Sequence, residues 1–137
     1  MTLHEDGLVP FSSPMVNIYT HDLEASLAFY AGQLGFEETF RAPDPDEPDH
    51  IELRLGGVGI ALSTAQAARR VHRLEVRPGS HGFQLVLWTD DVDTAYDALV
   101  AAGAPGHTAP HDTGNDNRNA VVRDPDGNLV EIVAKRV

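Results

Sequence analysis

"THDLEASLAFY" runs from Thr20 to Tyr30, and "TDDVDTAYDAL" runs from Thr89 to Leu99, 69 residues further along a chain of 137. In the first stretch Leu23, Leu27, Tyr30 and Leu34 recur at helical spacing behind Asp22, whose side chain suits an N-cap, and "GF" at Gly35 and Phe36 ends the run. The spacing predicts a helix over about residues 23–34. In the second, Val92, Ala95, Tyr96, Leu99 and Ala102 repeat the pattern behind Asp91, and "GAPG" at Gly103 to Gly106 closes it. The chain therefore carries the same local instruction twice.

Working outward, each helix follows an apolar run rich in β-branched and aromatic residues, "MVNIYT" at 15–20 and "FQLVLWT" at 83–89, and each run reads as a strand. After the first helix come "FEETFRA", "HIELRLG" and "VGIALST", with the acidic, proline-rich "PDPDEPD" between the first two. After the second come a short stretch near "HTAPH", then "RNAVVRD" and "LVEIVAK", with a turn at "DPDGN" in which Gly127 supplies positive φ. The order is strand, helix, three strands, twice over. Between the copies, "AQAARRVHRLEVRPGSHG" keeps no sustained period, although "AQAARRV" suits one or two helical turns, so it reads as a linker.

Composition bounds the function. Hydrophobic residues form 42% of the chain, with no run resembling a membrane span, as expected of one soluble domain over residues 1–137. Cysteine is absent, which removes thiol catalysis, thiolate ligands and disulfides together. "MTLHEDGLVPFS" has acidic residues and no long apolar segment, so no secretory leader is expected and a cytoplasmic location is the default. A formal net charge of −11, from 21 acidic against 10 basic residues, repels nucleic acid and anionic membranes, and neither is expected as a partner.

The duplicated unit, with "DLEASLAFYAGQLGF" early and "RDPDGNLVEIV" at the end, resembles the vicinal oxygen chelate superfamily over nearly the whole chain. That superfamily includes glyoxalase I, extradiol dioxygenases, fosfomycin-resistance transferases and bleomycin-resistance proteins. The resemblance implies an α+β fold of two tandem βαβββ modules, forming a curved mixed sheet around a cleft with the helices outside. Module one would span about 14–64, the linker 65–81 and module two 82–135. It also implies a metal site in members with chemistry, built from a ligand on the first strand of each half and a Glu on the last strand. The first of these positions lies seven residues before Asp22, at Met15, and the 69-residue repeat carries it to Gln84. Glu131, three residues after Asn128, fills the last. A thioether is too soft for the ions such enzymes use, so one carboxylate and one amide remain, and neither a metal nor another cofactor is expected.

The other histidines offer no replacement. His107 and His111 are four apart, but Pro105 and Pro110 argue against the shared helical face of a zinc-binding pair. His4, His21, His50, His72 and His81 stand isolated, and Ser12, Ser13, Ser26, Ser63 and Ser80 show no acid-base partner in sequence. "HDTGNDN" lacks calcium-loop spacing, and "LGGVG" at 55–59 lies in a strand-to-strand turn rather than before a helix.

Strand alternation puts Met15, Asn17 and Tyr19 on one face, Gln84, Val86 and Trp88 on its counterpart, and Leu129, Glu131 and Val133 beside them in the last strand. The resemblance implies that this face lines the cleft. Aromatic rings, amides and one unpartnered carboxylate suit a flat or cationic organic molecule, whereas no acid and base pair is visible. The expected site is therefore Met15, Asn17, Tyr19, Gln84, Val86, Trp88, Leu129 and Glu131, with no catalytic residue. The expected protein is a metal-free homodimer, of bleomycin-resistance type, that sequesters a bulky aromatic or basic natural product unaltered. The alternative is a metal-dependent lyase, isomerase or dioxygenase using Glu131 with Gln84.

Overall fold

A computed structural model of the chain describes residues 10, 12–114 and 116–136. Residues 1–9 and 11 of the amino-terminal stretch read for a leader, His4 among them, lie outside the described residues, as does Asn115 of "HDTGNDN". The first repeat is β1 (Val16–Thr20), α1 (Leu23–Leu27) continued by a π-helical segment (Ala28–Gln33), β2 (Glu37–Pro43), β3 (Pro48–Leu55) and β4 (Val58–Thr64). A helix α2 (Ala65–His72) follows, and then β5 (Gln84–Trp88), α3 (Val92–Ala101), β6 (Gly106–Asp112), β7 (Asn117–Arg123) and β8 (Leu129–Lys135). The repeats form two four-stranded mixed sheets of the same design, β1-β4-β3-β2 and β5-β8-β7-β6, each with a parallel first pair and antiparallel neighbours. Among the described residues no helix is long and apolar enough to cross a membrane.

The caps form as their residue types dictate: Asp22 accepts from the Ala25 backbone N–H at 3.1 Å, and Asp91 from that of Thr94 at 3.1 Å. The first helix departs from the simple α pattern after Leu27. Leu34 N–H reaches back five residues to the Phe29 carbonyl, and the wider turn accompanies burial of two consecutive aromatics, Phe29 and Tyr30. The stretch read as linker contains α2, started by Thr64 accepting from Ala67 N–H and stopped at Arg73, which takes a left-handed φ of 57°. It is the one or two turns read at "AQAARRV"; its short buried face, Ala67 and Ala68, gives the surrounding segment no sustained period.

One side of each sheet is core. Ile18, Ile51, Leu53, Ile60 and Leu62 from the first repeat join Ala120, Val122, Val130 and Ile132 from the second in one cluster with Phe29, Tyr30, Val92 and Leu99. Leu87 packs against it, as its strand parity requires, whereas Val16, expected on the same side as Ile18, is exposed at the start of β1.

"DPDGN" fastens the two repeats together. Asp124 is buried, and its carboxylate accepts from Asp126 N–H (2.9 Å), Asn128 N–H (2.8 Å), the Asn128 side-chain amide (2.9 Å) and the Tyr30 phenol (2.8 Å). Burial first, and then the adjacent Asp124 carboxylate, hold the phenol's pKa well above its ordinary value. Asp126 reaches the β1–α1 corner, accepting from Thr20 Oγ1 and from His21 N–H, while Asn128 Oδ1 accepts from Gly79 N–H at 3.1 Å. Gly79 has φ of 79°, and a β-carbon there would stand 2.1 Å from the Asp126 carbonyl oxygen, so this close approach requires glycine. The turn thus fixes where β8 starts, and with it the direction in which Glu131 points.

Candidate functional site

Opposite the core, each sheet presents an open face. In the second repeat this face holds Gln84, Val86 and Trp88 of β5, Glu131 of β8 and Asn119 of β7, with Val86 and Val121 beside Glu131 in register. Glu131 is held by amides. Gln84 Nε2 donates to one carboxylate oxygen at 3.2 Å and Asn119 Nδ2 to the other at 3.0 Å, while Asn119 Oδ1 accepts from Thr113 Oγ1 at 2.7 Å. Toward the end of β5 the Trp88 ring is 62% exposed, with Lys135 Nζ 5.9 Å from its centroid in cation–π range. Val86 is also exposed, Leu129 half-buried and Val133 buried.

In the first repeat the open face holds Asn17 and Tyr19 of β1, Ala61 and Ser63 of β4, and His50 and Glu52 of β3. Met15 lies one residue before β1 and folds its end over Gly59, 3.6 Å from where a β-carbon would sit. The packing of α2 against β4 and β1 makes a cavity of about 350 Å³ at one end of this face, lined in part by Asn17, Tyr19, His50, Ser63, Ala67 and Val71. Across its polar side Ser63 Oγ lies 2.7 Å from both Asn17 Oδ1 and His50 Nδ1, and His50 Nε2 lies 2.9 Å from Glu52 Oε2. Asp49 and Arg70 form an ion pair at the rim.

The eight expected site residues thus fall into two groups. Gln84 bonds directly to Glu131, with Val86 alongside, and Asn17 and Tyr19 share the cavity under α2. No hydrogen bond among the described residues joins one group to the other. Sequence reasoning missed Asn119, His50, Ser63 and Glu52. The signal was present in the "LGGVG" turn: a two-residue connection at Gly56 and Gly57 pairs Leu55 with Val58, and counting outward puts His50 opposite Ser63. His107 and His111 make only local bonds, to Thr108 Oγ1 at 2.8 Å and to the Ala109 carbonyl at 3.0 Å, from a strand rather than a helix.

The residues at the three positions where the family resemblance would place a metal ion do not fit a divalent cation. Both Glu131 oxygens receive amide N–H groups, Gln84 presents nitrogen rather than oxygen, and Met15 offers a soft thioether occupied over Gly59. Among the described residues no three acidic or histidine side chains converge as a metal site would need.

A search of the curated proteins finds no match to the sequence. Among solved structures, a glyoxalase/bleomycin resistance protein/dioxygenase from Nocardioides is 28% identical, with a TM-score of 0.72, over 93% of this chain and 87% of that one. A family enzyme from Burkholderia phytofirmans PsJN is 29% identical, with a TM-score of 0.74, over 88% of this chain and 95% of that one. TnmS3, an antibiotic binding protein from Streptomyces sp. CB03234, is 23% identical and shares the fold, with a TM-score of 0.66 over 93% of this chain and 98% of its own. The sequence model of the Glyoxalase/Bleomycin resistance protein/Dioxygenase superfamily matches residues 12–132. The chain belongs to that superfamily, the vicinal oxygen chelate proteins.

Proposed function

We propose that this protein binds a bulky aromatic or basic natural product, such as an antibiotic, and holds it without metal and without altering it. The observation that carries the reading is the state of Glu131, both of whose oxygens are engaged by Gln84 and Asn119 on a face otherwise made of Val86, Trp88 and Leu129. A carboxylate so held is a fixed acceptor and a negative charge for a ligand to approach, not a free general base or an open ligand for a metal. Trp88 offers a ring for stacking, and the −11 chain charge favours a cationic compound. TnmS3, which shares the fold, is described as an antibiotic binding protein, and this supports antibiotic binding by the same fold here.

A single chain leaves Met15, Phe40, Val86 and Trp88 exposed, so we place a second copy across these faces, in a cytoplasmic homodimer with a self-resistance role. The deciding experiment is elemental analysis of protein expressed with manganese, iron, nickel and zinc available. Well under one equivalent of metal per chain is expected. Near-stoichiometric metal that disappears on Glu131→Ala would overturn the reading in favour of a metal-dependent enzyme.

A further inference from the structure

The cavity under α2 is built by the first repeat and α2: its lining comes from β1, β4, the facing ends of β2 and β3, and α2, with nothing from β5–β8. Its volume of about 350 Å³ lies within the range of small-molecule sites. Tyr19, Pro43, Ala67, Ala68 and Val71 make its walls mostly apolar. Against them runs one polar track, Glu52 to His50 to Ser63 to Asn17, whose outermost group, the Asn17 carboxamide, is exposed to the cavity.

Hydrogen-bond bookkeeping along that track allows two proton arrangements. With His50 doubly protonated, Nε2–H donates to Glu52, Nδ1–H donates to Ser63 Oγ, and the Ser63 hydroxyl donates to Asn17 Oδ1. The Asn17 amide N–H groups then face the cavity. With His50 neutral, the Glu52 carboxylate keeps the remaining proton on Nε2, so Nδ1 is a bare acceptor and the Ser63 hydroxyl turns onto it. Ser63 Oγ is left as an acceptor, the Asn17 amide rotates to donate to it, and Asn17 Oδ1 faces the cavity instead.

We propose that this cavity is a binding site for a planar compound of one or two rings bearing a single polar edge group. Asn17 reads that group, donating to it when His50 is charged and accepting from it when His50 is neutral. The other charged or titratable groups around His50 are Asp49 on its own strand, Tyr19 on β1, and Arg70 and His72 on α2. Asp49 and Arg70 are paired with each other, which leaves Glu52 as the charge bonded to the imidazole. The inference rests on the proposed function only in taking the open face as the binding face.

The test uses the full chain, nitrogen NMR of the His50 ring and the Asn17 side chain, and two probes of similar shape: indole, which only donates, and coumarin, which only accepts. Titrations at about pH 5.5 and about pH 8.5 bracket the ordinary histidine range. Both probes should shift the Asn17 side-chain signals, and the preference for coumarin over indole should fall about tenfold on going to the higher pH, the effect of one mismatched hydrogen bond. The nitrogen shifts of the His50 ring report its protonation state in each titration, a readout that needs no variant. In His50→Gln the preference should not change with pH. Absence of any Asn17 shift at about 10 mM probe would overturn the site, since so weak an interaction is no recognition. A pH-independent preference in the native chain, or a pH-dependent one surviving in His50→Gln, would overturn the relay. Probe-induced shifts confined to residues of β5–β8 would place the probes on the second repeat and overturn the assignment, whereas failure of the antibiotic reading alone leaves all these readouts in place.

Discussion

Removing the Tyr30 hydroxyl tests the latch that joins the repeats. Tyr30 is fully buried, and its phenol donates to Asp124 Oδ2 at 2.8 Å, a bond to a buried carboxylate that also accepts from three other donors. Tyr30→Phe deletes one charge-assisted bond and leaves the ring in its edge-to-face contacts with Phe29 and Phe36, so about 1.5–3 kcal/mol of stability should be lost. Asp124→Ala is a harsher change, because it strands the Tyr30 hydroxyl, the Asn128 backbone N–H and the Asn128 amide together, and about 3–5 kcal/mol is expected. The two sites should couple, with the double variant losing less than the sum of the singles by about 1 kcal/mol or more. Urea unfolding followed by far-ultraviolet circular dichroism measures each. A Tyr30→Phe loss below about 0.5 kcal/mol, or strict additivity, would refute the claim that this bond fastens the repeats.

Three further outcomes follow from the same structure. Leu87→Ala, on the core side of β5, should cost about 2–5 kcal/mol in the same unfolding assay. The Tyr30 phenol titrates near its ordinary 10.0 when unfolded and higher when folded, so its contribution is present below that pH and lost above it, at most about 1.4 kcal/mol per pH unit; Tyr30→Phe should lose less stability than the native chain between about pH 10 and 11. Met15→His with Gln84→His should raise affinity for zinc if the repeat alignment of the ligand positions is right, which calorimetric titration with the ion would show.

The fold was legible because its signals are local and doubled. Asp22 and Asp91 announce the two helix starts, and the glycine-containing turns space the strands, so tandem modules could be read from short windows alone. The π-helical segment was not legible, because Phe29 and Tyr30 both face the core only through contacts with distant strands. The helix α2 was legible only as the one or two turns at "AQAARRV", because its eight residues bury just two alanines and the segment around it keeps no apolar period. Of the site, strand parity put Gln84 with Glu131 and Asn17 with Tyr19. Asn119 and His50 needed register across a hairpin, which parity within one strand does not supply. The function of "DPDGN" as a latch was invisible for a related reason: the partners of Asp124 and Asp126 lie about a hundred residues away.

The proposed function requires that the open face hold an aromatic or basic compound against Trp88 and return it unchanged. Trp88 is the only tryptophan, so its fluorescence reports this face without ambiguity. The direct measurement is a quenching titration of the native chain with a panel of aromatic and cationic antibiotics. Calorimetry of the best binder with Trp88→Ala and chromatographic recovery of that compound after prolonged incubation complete it. Saturable quenching, a loss of about 2 kcal/mol or more in Trp88→Ala, and a compound recovered intact are expected. Full affinity in Trp88→Ala, or turnover of the recovered compound, would contradict the proposed function.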